Sequence, residues 1–127
     1  MTPVRVFLVE DSEVIRVNLQ AALEDLAPTV VVGTAECAPD ACHRLCDLAR
    51  AGRCDLAIVD IFLKQGSGLD VLRCISAHKL ALTTVILTNF ASSEVCKQCL
   101  ALGASKVFDK SRDIEELIAF CQDFSNR

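Results

Sequence analysis

The chain has 127 residues, of which 52% are hydrophobic and 24% charged, and a formal net charge of −4. That length suits one domain around one core, and no run of Lys or Arg is long enough to hold a phosphate backbone by charge alone, so direct nucleic-acid binding is not expected. The opening "MTPVRVFLVED" lacks the features of a signal peptide and no apolar run reaches bilayer length, which predicts a cytoplasmic protein without membrane insertion.

The first apolar run, "VRVFLVE", is rich in β-branched residues and suits a strand buried on both faces. Ser12 is placed to cap a helix whose apolar positions are Val14, Ile15, Val17, Leu19, Ala22, Leu23 and Leu26, closed by Pro28. "TVVVGT" reads as a second strand. A second helix follows from about Asp40 and ends at Gly52. The cycle repeats with "CDLAIVD" as strand, "LKQGSG" as loop and "LDVLRCISAH" as helix. "TTVILT" and "SEVCKQCLAL" form the next pair, and "KVFD" with a helix from about Asp113 to Phe124 closes the series. Five strands alternating with five helices predict an α/β domain, a doubly wound five-stranded parallel sheet with helices on both faces. No linker or repeat interrupts it, so residues 1–127 are expected to form a single domain, with its core at about 4–124 and no output domain.

Each polar residue that breaks an apolar strand does so at its C-terminal end: Glu10 and Asp11, then Asp60, Thr88 and Lys110. In a doubly wound sheet ligands gather at that rim. Two adjacent carboxylates resist ionising together unless a cation sits between them. Three carboxylates make a hard, oxygen-rich set suited to Mg²⁺, with Mn²⁺ as a substitute. Blander readings stand beside this one: the acidic pair as solvated surface charge, Thr88 as a strand-end turn residue, and Lys110 as a salt-bridge partner of Asp60.

In this order and spacing, "FLVED", "LAIVDIFL", "GSGLDVL", "VILTNF" and "LGASKVFDKS" resemble the receiver domain of bacterial response regulators, of the stand-alone chemotaxis type, over about Val4 to Phe124. The resemblance implies a flavodoxin-like (βα)5 fold. It implies Asp60 as phosphoryl acceptor, Glu10, Asp11, Asp60 and the backbone carbonyl of Phe62 as Mg²⁺ ligands, and Thr88 and Lys110 as holders of phosphoryl oxygens. The donor would be a phosphohistidine on a sensor histidine kinase or phosphotransfer protein. The readout would be a downstream protein target or a homodimer formed through the fourth helix, fifth strand and fifth helix, with Val95, Cys99, Lys106 and Phe108 on that face. Such a protein is a switch rather than a turnover enzyme. A phosphatase using the same intermediate would be expected to carry a second acid two residues after Asp60, where Phe62 stands.

Two departures from the family pattern matter. Ser111 follows the lysine where proline and a cis peptide are common, leaving that geometry open. Val107 occupies the place of a switch aromatic, and Phe108 is displaced by one, so alternation turns it to the other side of the sheet, as core or partner-facing surface rather than a rotating switch. Phe62 and Phe90 flank the reaction centre and are expected to exclude water from it. Finally, eight cysteines are spread along the chain. Cys42 with Cys46, and Cys96 with Cys99, share helix faces, with His43 nearby; packing, an adventitious metal and a disulfide all remain open. The alternative function is a cysteine-based redox or metal-responsive binding module with a vestigial acidic pocket.

Overall fold

A computed structural model describes residues 3–89 and 91–125. Five strands, β1 (Val4–Val9), β2 (Thr29–Ala35), β3 (Leu56–Val59), β4 (Thr83–Thr88) and β5 (Lys106–Asp109), alternate with α1 (Glu13–Leu26), α2 (Ala38–Arg50), α3 (Gly68–Ala77), α4 (Ser93–Ala101) and α5 (Ile114–Ser125). All pairings are parallel and the strand order is β2-β1-β3-β4-β5. The order reverses between β1 and β3, so the loops after these two strands diverge and leave a crevice at their carboxyl ends.

Alternation along the strands divides the core into two layers. Phe7, Val9, Ala57, Val59 and Ile86 pack with Leu45 of α2, Val71, Leu72 and Ile75 of α3, and Cys99 of α4. Val6, Leu8, Leu56, Ile58, Val85 and Phe108 pack with Leu19 and Leu23 of α1 and Leu117 and Cys121 of α5. Strands β1, β3 and β4 are almost wholly buried, as their unbroken apolar runs require. The β1–β2 register slips between Val6 and Phe7, which pair with Val31 and Gly33, leaving Val32 as a bulge. Glycine at 33 follows from Phe7: a Cβ there would lie 2.8 Å from that ring.

The expected elements form, and the burial of their side chains refines two expectations. In α1 only Leu19 and Leu23 are buried, whereas Val14, Ile15, Val17 and Leu26 are exposed, because a helix on one face of a sheet covers a single stripe. The expected docking face also changes. Cys99 and Phe108 are both 0% exposed and belong to the core, with Phe108 stacked edge-on against Phe120 at 5.8 Å. Val95 is half-buried and only Lys106 of the four is exposed. Phe108 is thus a core residue rather than part of a partner-facing surface. Among the described residues there is no cis peptide bond, so Lys110–Ser111 is trans.

Candidate functional site

Glu10, Asp60 and Lys110 each stand one residue beyond the end of a strand, β1, β3 and β5, and meet over the sheet's carboxyl edge. Parallel pairing puts them there. The Asp60 N–H donates to Val9 O at 2.9 Å, the Glu10 N–H to Ala35 O at 3.0 Å and the Lys110 N–H to Thr88 O at 3.0 Å, so each leaves its strand held by the neighbouring one. Glu10 is 3% exposed and Asp60 7%.

The Lys110 ammonium bridges the two acids. It donates to Asp60 Oδ2 at 2.9 Å and to Glu10 Oε1. The other oxygens are also engaged: Glu10 Oε2 accepts from the Ser12 N–H at 3.0 Å, and Asp60 Oδ1 from the Ile61 N–H at 2.7 Å. Burial pushes the Glu10 carboxyl above the usual carboxylate range, against the pull of Lys110 and the Ser12 N–H. For Lys110 burial alone would favour the neutral amine, but its bonds to Glu10 and Asp60 outweigh that and raise its pKa. The ammonium therefore stays charged, while a second cation would offset the burial that works against a charge on Glu10.

Carboxylate oxygens of Glu10, Asp11 and Asp60 lie within 4.8 Å of one another. Three acids facing one ammonium leave a negative excess, and an all-oxygen set this close fits a small hard divalent ion. Thr88, fully buried, ends β4 in register with Asp109. Phe62 is 56% exposed, so its ring is not core packing, and its backbone forms an isolated bridge with Ser67. Phe90 lies outside the described residues. Ser111 has a different occupation from the one proline would have: its N–H donates to Asp109 Oδ1 at 2.8 Å, and its hydroxyl donates to the same oxygen.

Four contributors were not foreseen from the sequence. Arg16 donates to the Glu10 carbonyl at 3.0 Å and pairs with Glu36 at 3.2 Å, and Glu36 pairs with Lys64 at 2.8 Å, forming an ion chain along the crevice. Glu36 had a readable signal, since it too follows a strand end. Gly68 is the fourth: a Cβ there would lie 2.3 Å from the Asp60 carbonyl oxygen, so α3 starts in direct backbone contact with the loop after β3. Beside the acids, a groove of about 400 Å³ runs between α1 and the start of α5, lined by Ile15, Leu19, Leu87, Lys110, Ser111 and Ile114. The cysteines are sorted as well. Cys42 and Cys74 are joined by a disulfide, and the nearby imidazole is His78; His43 instead faces Asp47 at 3.7 Å.

Comparison with known proteins gives this geometry its family. The model of the response regulator receiver domain matches residues 6–122. The chain belongs to that family. The receiver is 34% identical over 102 residues to the DNA-binding transcriptional activator DevR/DosR of Mycobacterium tuberculosis, covering 80% of this chain and 45% of that protein. It is 30% identical over 123 residues to the transcriptional regulatory protein PhoP of Escherichia coli, covering 97% of this chain and 52% of the relative. Among solved structures, the receiver domain of the NarL regulator from M. tuberculosis superposes with a TM-score of 0.84 at 21% identity, covering 99% of this chain and 98% of that one. A response regulator of the LuxR family from Aurantimonas also reaches 0.84, at 25% identity, over 98% and 87% of the two chains.

This chain is therefore a receiver domain of the two-component response regulators, and the curated relatives it matches include response regulators and transcriptional regulators. It spans about half the length of the curated relatives it matches. Those relatives correct the expectation that set nucleic acid aside, for they include a DNA-binding transcriptional activator. The charge balance of 127 residues bears on their own surface only. No described helix is long and apolar enough to cross a membrane.

Proposed function

We propose that the receiver accepts a phosphoryl group on Asp60 from a phosphohistidine of a sensor kinase or phosphotransfer protein, and signals through the surface change that follows. The observation that carries this reading is the buried Asp60 carboxylate, bonded to Lys110 and within 4.8 Å of the Glu10 and Asp11 carboxylates. Glu10, Asp11 and Asp60, with the Phe62 carbonyl, would hold Mg²⁺ or Mn²⁺, which when bound supplies the positive charge that lets an anion approach three acids.

The chain's own groups then divide the work. One Asp60 oxygen attacks phosphorus, the phosphorus–nitrogen bond to the donor imidazole breaks, and the imidazole leaves with the bonding electron pair and takes up a proton from solvent. The Ile61 N–H holds Oδ1 and fixes the carboxylate plane. Lys110, whose ammonium already sits 2.9 Å from Asp60 Oδ2, would offer it to the equatorial phosphoryl oxygens. The Thr88 hydroxyl is the second such donor, and its movement toward the new anion carries the change into the loop before α4. Phe62, exposed beside the site, slows water's approach to the acyl phosphate. The relatives' role in transcription makes control of transcription the favoured downstream setting.

The test is incubation with acetyl phosphate, with and without Mg²⁺, followed by intact mass. One phosphoryl group should add only with the cation and map to Asp60, and Asp60→Asn should add none. Metal-independent labelling, or labelling that survives Asp60→Asn, would refute the assignment.

A further inference from the structure

Helices α2 and α3 pack side by side, and each presents a pair of soft donors one turn apart: Cys42 and Cys46 on α2, Cys74 and His78 at the end of α3. Residues four apart share a helix face, so the two pairs converge. One ligand atom from each of the four lies within 4.8 Å of all the others. The Cα atoms of Cys42 and Cys74 are 6.1 Å apart and their sulfurs are bonded. A disulfide accounts for only two of these residues. Cys46, 8% exposed, brings a third sulfur to the same place. His78 caps α3, with Nδ1 3.6 Å from Cys74 Sγ and 3.0 Å from the Cys74 carbonyl oxygen, which tethers the ring at the edge of the sulfurs.

Packing alone gives no reason for an imidazole and three thiols to meet. The His78 bond to the Cys74 carbonyl accounts for the ring's tether but not for the third sulfur beside it, and Cys54, Cys99 and Cys121 are buried apart from this group. Three sulfurs and one nitrogen form the donor set of a tetrahedral thiophilic cation. With metal–sulfur distances of about 2.3 Å, the edges of such a tetrahedron are roughly 3.8 Å, within the spread observed. The oxygen cluster at Asp60 has the opposite chemistry and would take a hard ion.

We propose that Cys42, Cys46, Cys74 and His78 form a Zn²⁺ site that staples α2 to α3 in the reduced protein, and that the Cys42–Cys74 disulfide is its oxidised, metal-free form. The two forms exclude each other, because sulfurs bonded to one another no longer serve as thiolates. Closing the disulfide from the zinc-bound dithiolate passes two electrons to an external two-electron oxidant such as an azodicarboxamide and releases the cation; the thiol protons have already left when the metal bound. The site stands apart from the Asp60 chemistry and does not depend on it.

The variants separate a metal site from a simple disulfide, since Cys46 and His78 belong to the first and not to the second. The reduced, metal-free full chain is titrated with Zn²⁺ against a chromophoric chelator, and with Co²⁺ to read thiolate coordination by absorption. One equivalent should bind. Cys46→Ser and His78→Ala should each weaken binding more than about 100-fold, beyond the loss of an outer-shell partner, while both still close the disulfide with diamide, which accepts the two electrons and two protons. Cys96→Ser, at a half-buried cysteine outside the group, should bind as the unaltered chain does. Diamide treatment of the unaltered chain should abolish uptake, and reductant restore it. Because His78 is exposed, its replacement leaves the fold intact, which circular dichroism verifies. Absence of stoichiometric uptake by the reduced chain, unchanged affinity in either ligand variant, or loss of binding in the Cys96 variant would overturn the site.

Discussion

A methyl group at position 68 would collide with the backbone that carries Asp60, within 2.3 Å of its carbonyl oxygen and 2.9 Å of Ile61 Cα. Backbone cannot swing aside as a side chain can. Gly68→Ala should therefore cost about 1–3 kcal/mol of stability in urea unfolding, and it should slow labelling by acetyl phosphate while leaving the labelled residue unchanged. The Arg5–Asp55 pair makes a different prediction at the same scale. Arg5 Nε donates to Asp55 Oδ2 at 3.0 Å and its NH2 to Oδ1 at 2.9 Å, and this fork holds the Asp55 carboxyl below its ordinary value of 3.8. A depressed native pKa means the unfolded state binds the proton more readily. The contribution is therefore full at neutral pH, starts to fade as the pH falls past the unfolded value, and is gone below the native one. Asp55→Asn should lower stability at neutral pH and flatten the acid limb of the stability curve.

At the scale of elements, α3 depends on its entry. The Ser67 side chain accepts from the Leu69 N–H at 3.2 Å, and the Asp70 side chain accepts from the Ser67 N–H at 3.0 Å, a reciprocal box at the turn where the helix meets Asp60. Ser67→Ala should cost about 1 kcal/mol, read as a lower urea midpoint with an unchanged m-value. Element order and type were legible because the strands are continuous apolar runs and helix stops fall at Pro28, Gly52 and Gly103. Glu10, Asp11, Asp60 and Lys110 were legible for a related reason: a charge that ends a buried strand has little choice of direction. Other features were hidden. Arg16, Glu36 and Lys64 look like any solvated charges until the fold brings α1, the end of β2 and the loop after β3 together. The spread of apolar residues on α1 suggests a wider buried stripe than one sheet face can cover. The partnership of Cys42 with Cys74 spans 32 residues, and α2–α3 packing, which no local spacing encodes, decides it.

For the molecule as a whole, two apolar layers share one sheet, and their helices are tied to it unequally. Leu117, 0% exposed, anchors α5 below β5 beside Phe108. Leu117→Ala should remove about 2–5 kcal/mol, measured by thermal or urea unfolding, and loosen the wall behind Lys110. The outer strand β2 has a further consequence through Val32, the residue without a counterpart on β1. β2 is the longest strand, rich in valine, and it borders the sheet with one side open to other chains. A straight ribbon of that composition would offer a template for edge-to-edge pairing; the irregularity at Val32 puts the hydrogen-bonding groups out of step with a regular visiting strand, which works against such pairing.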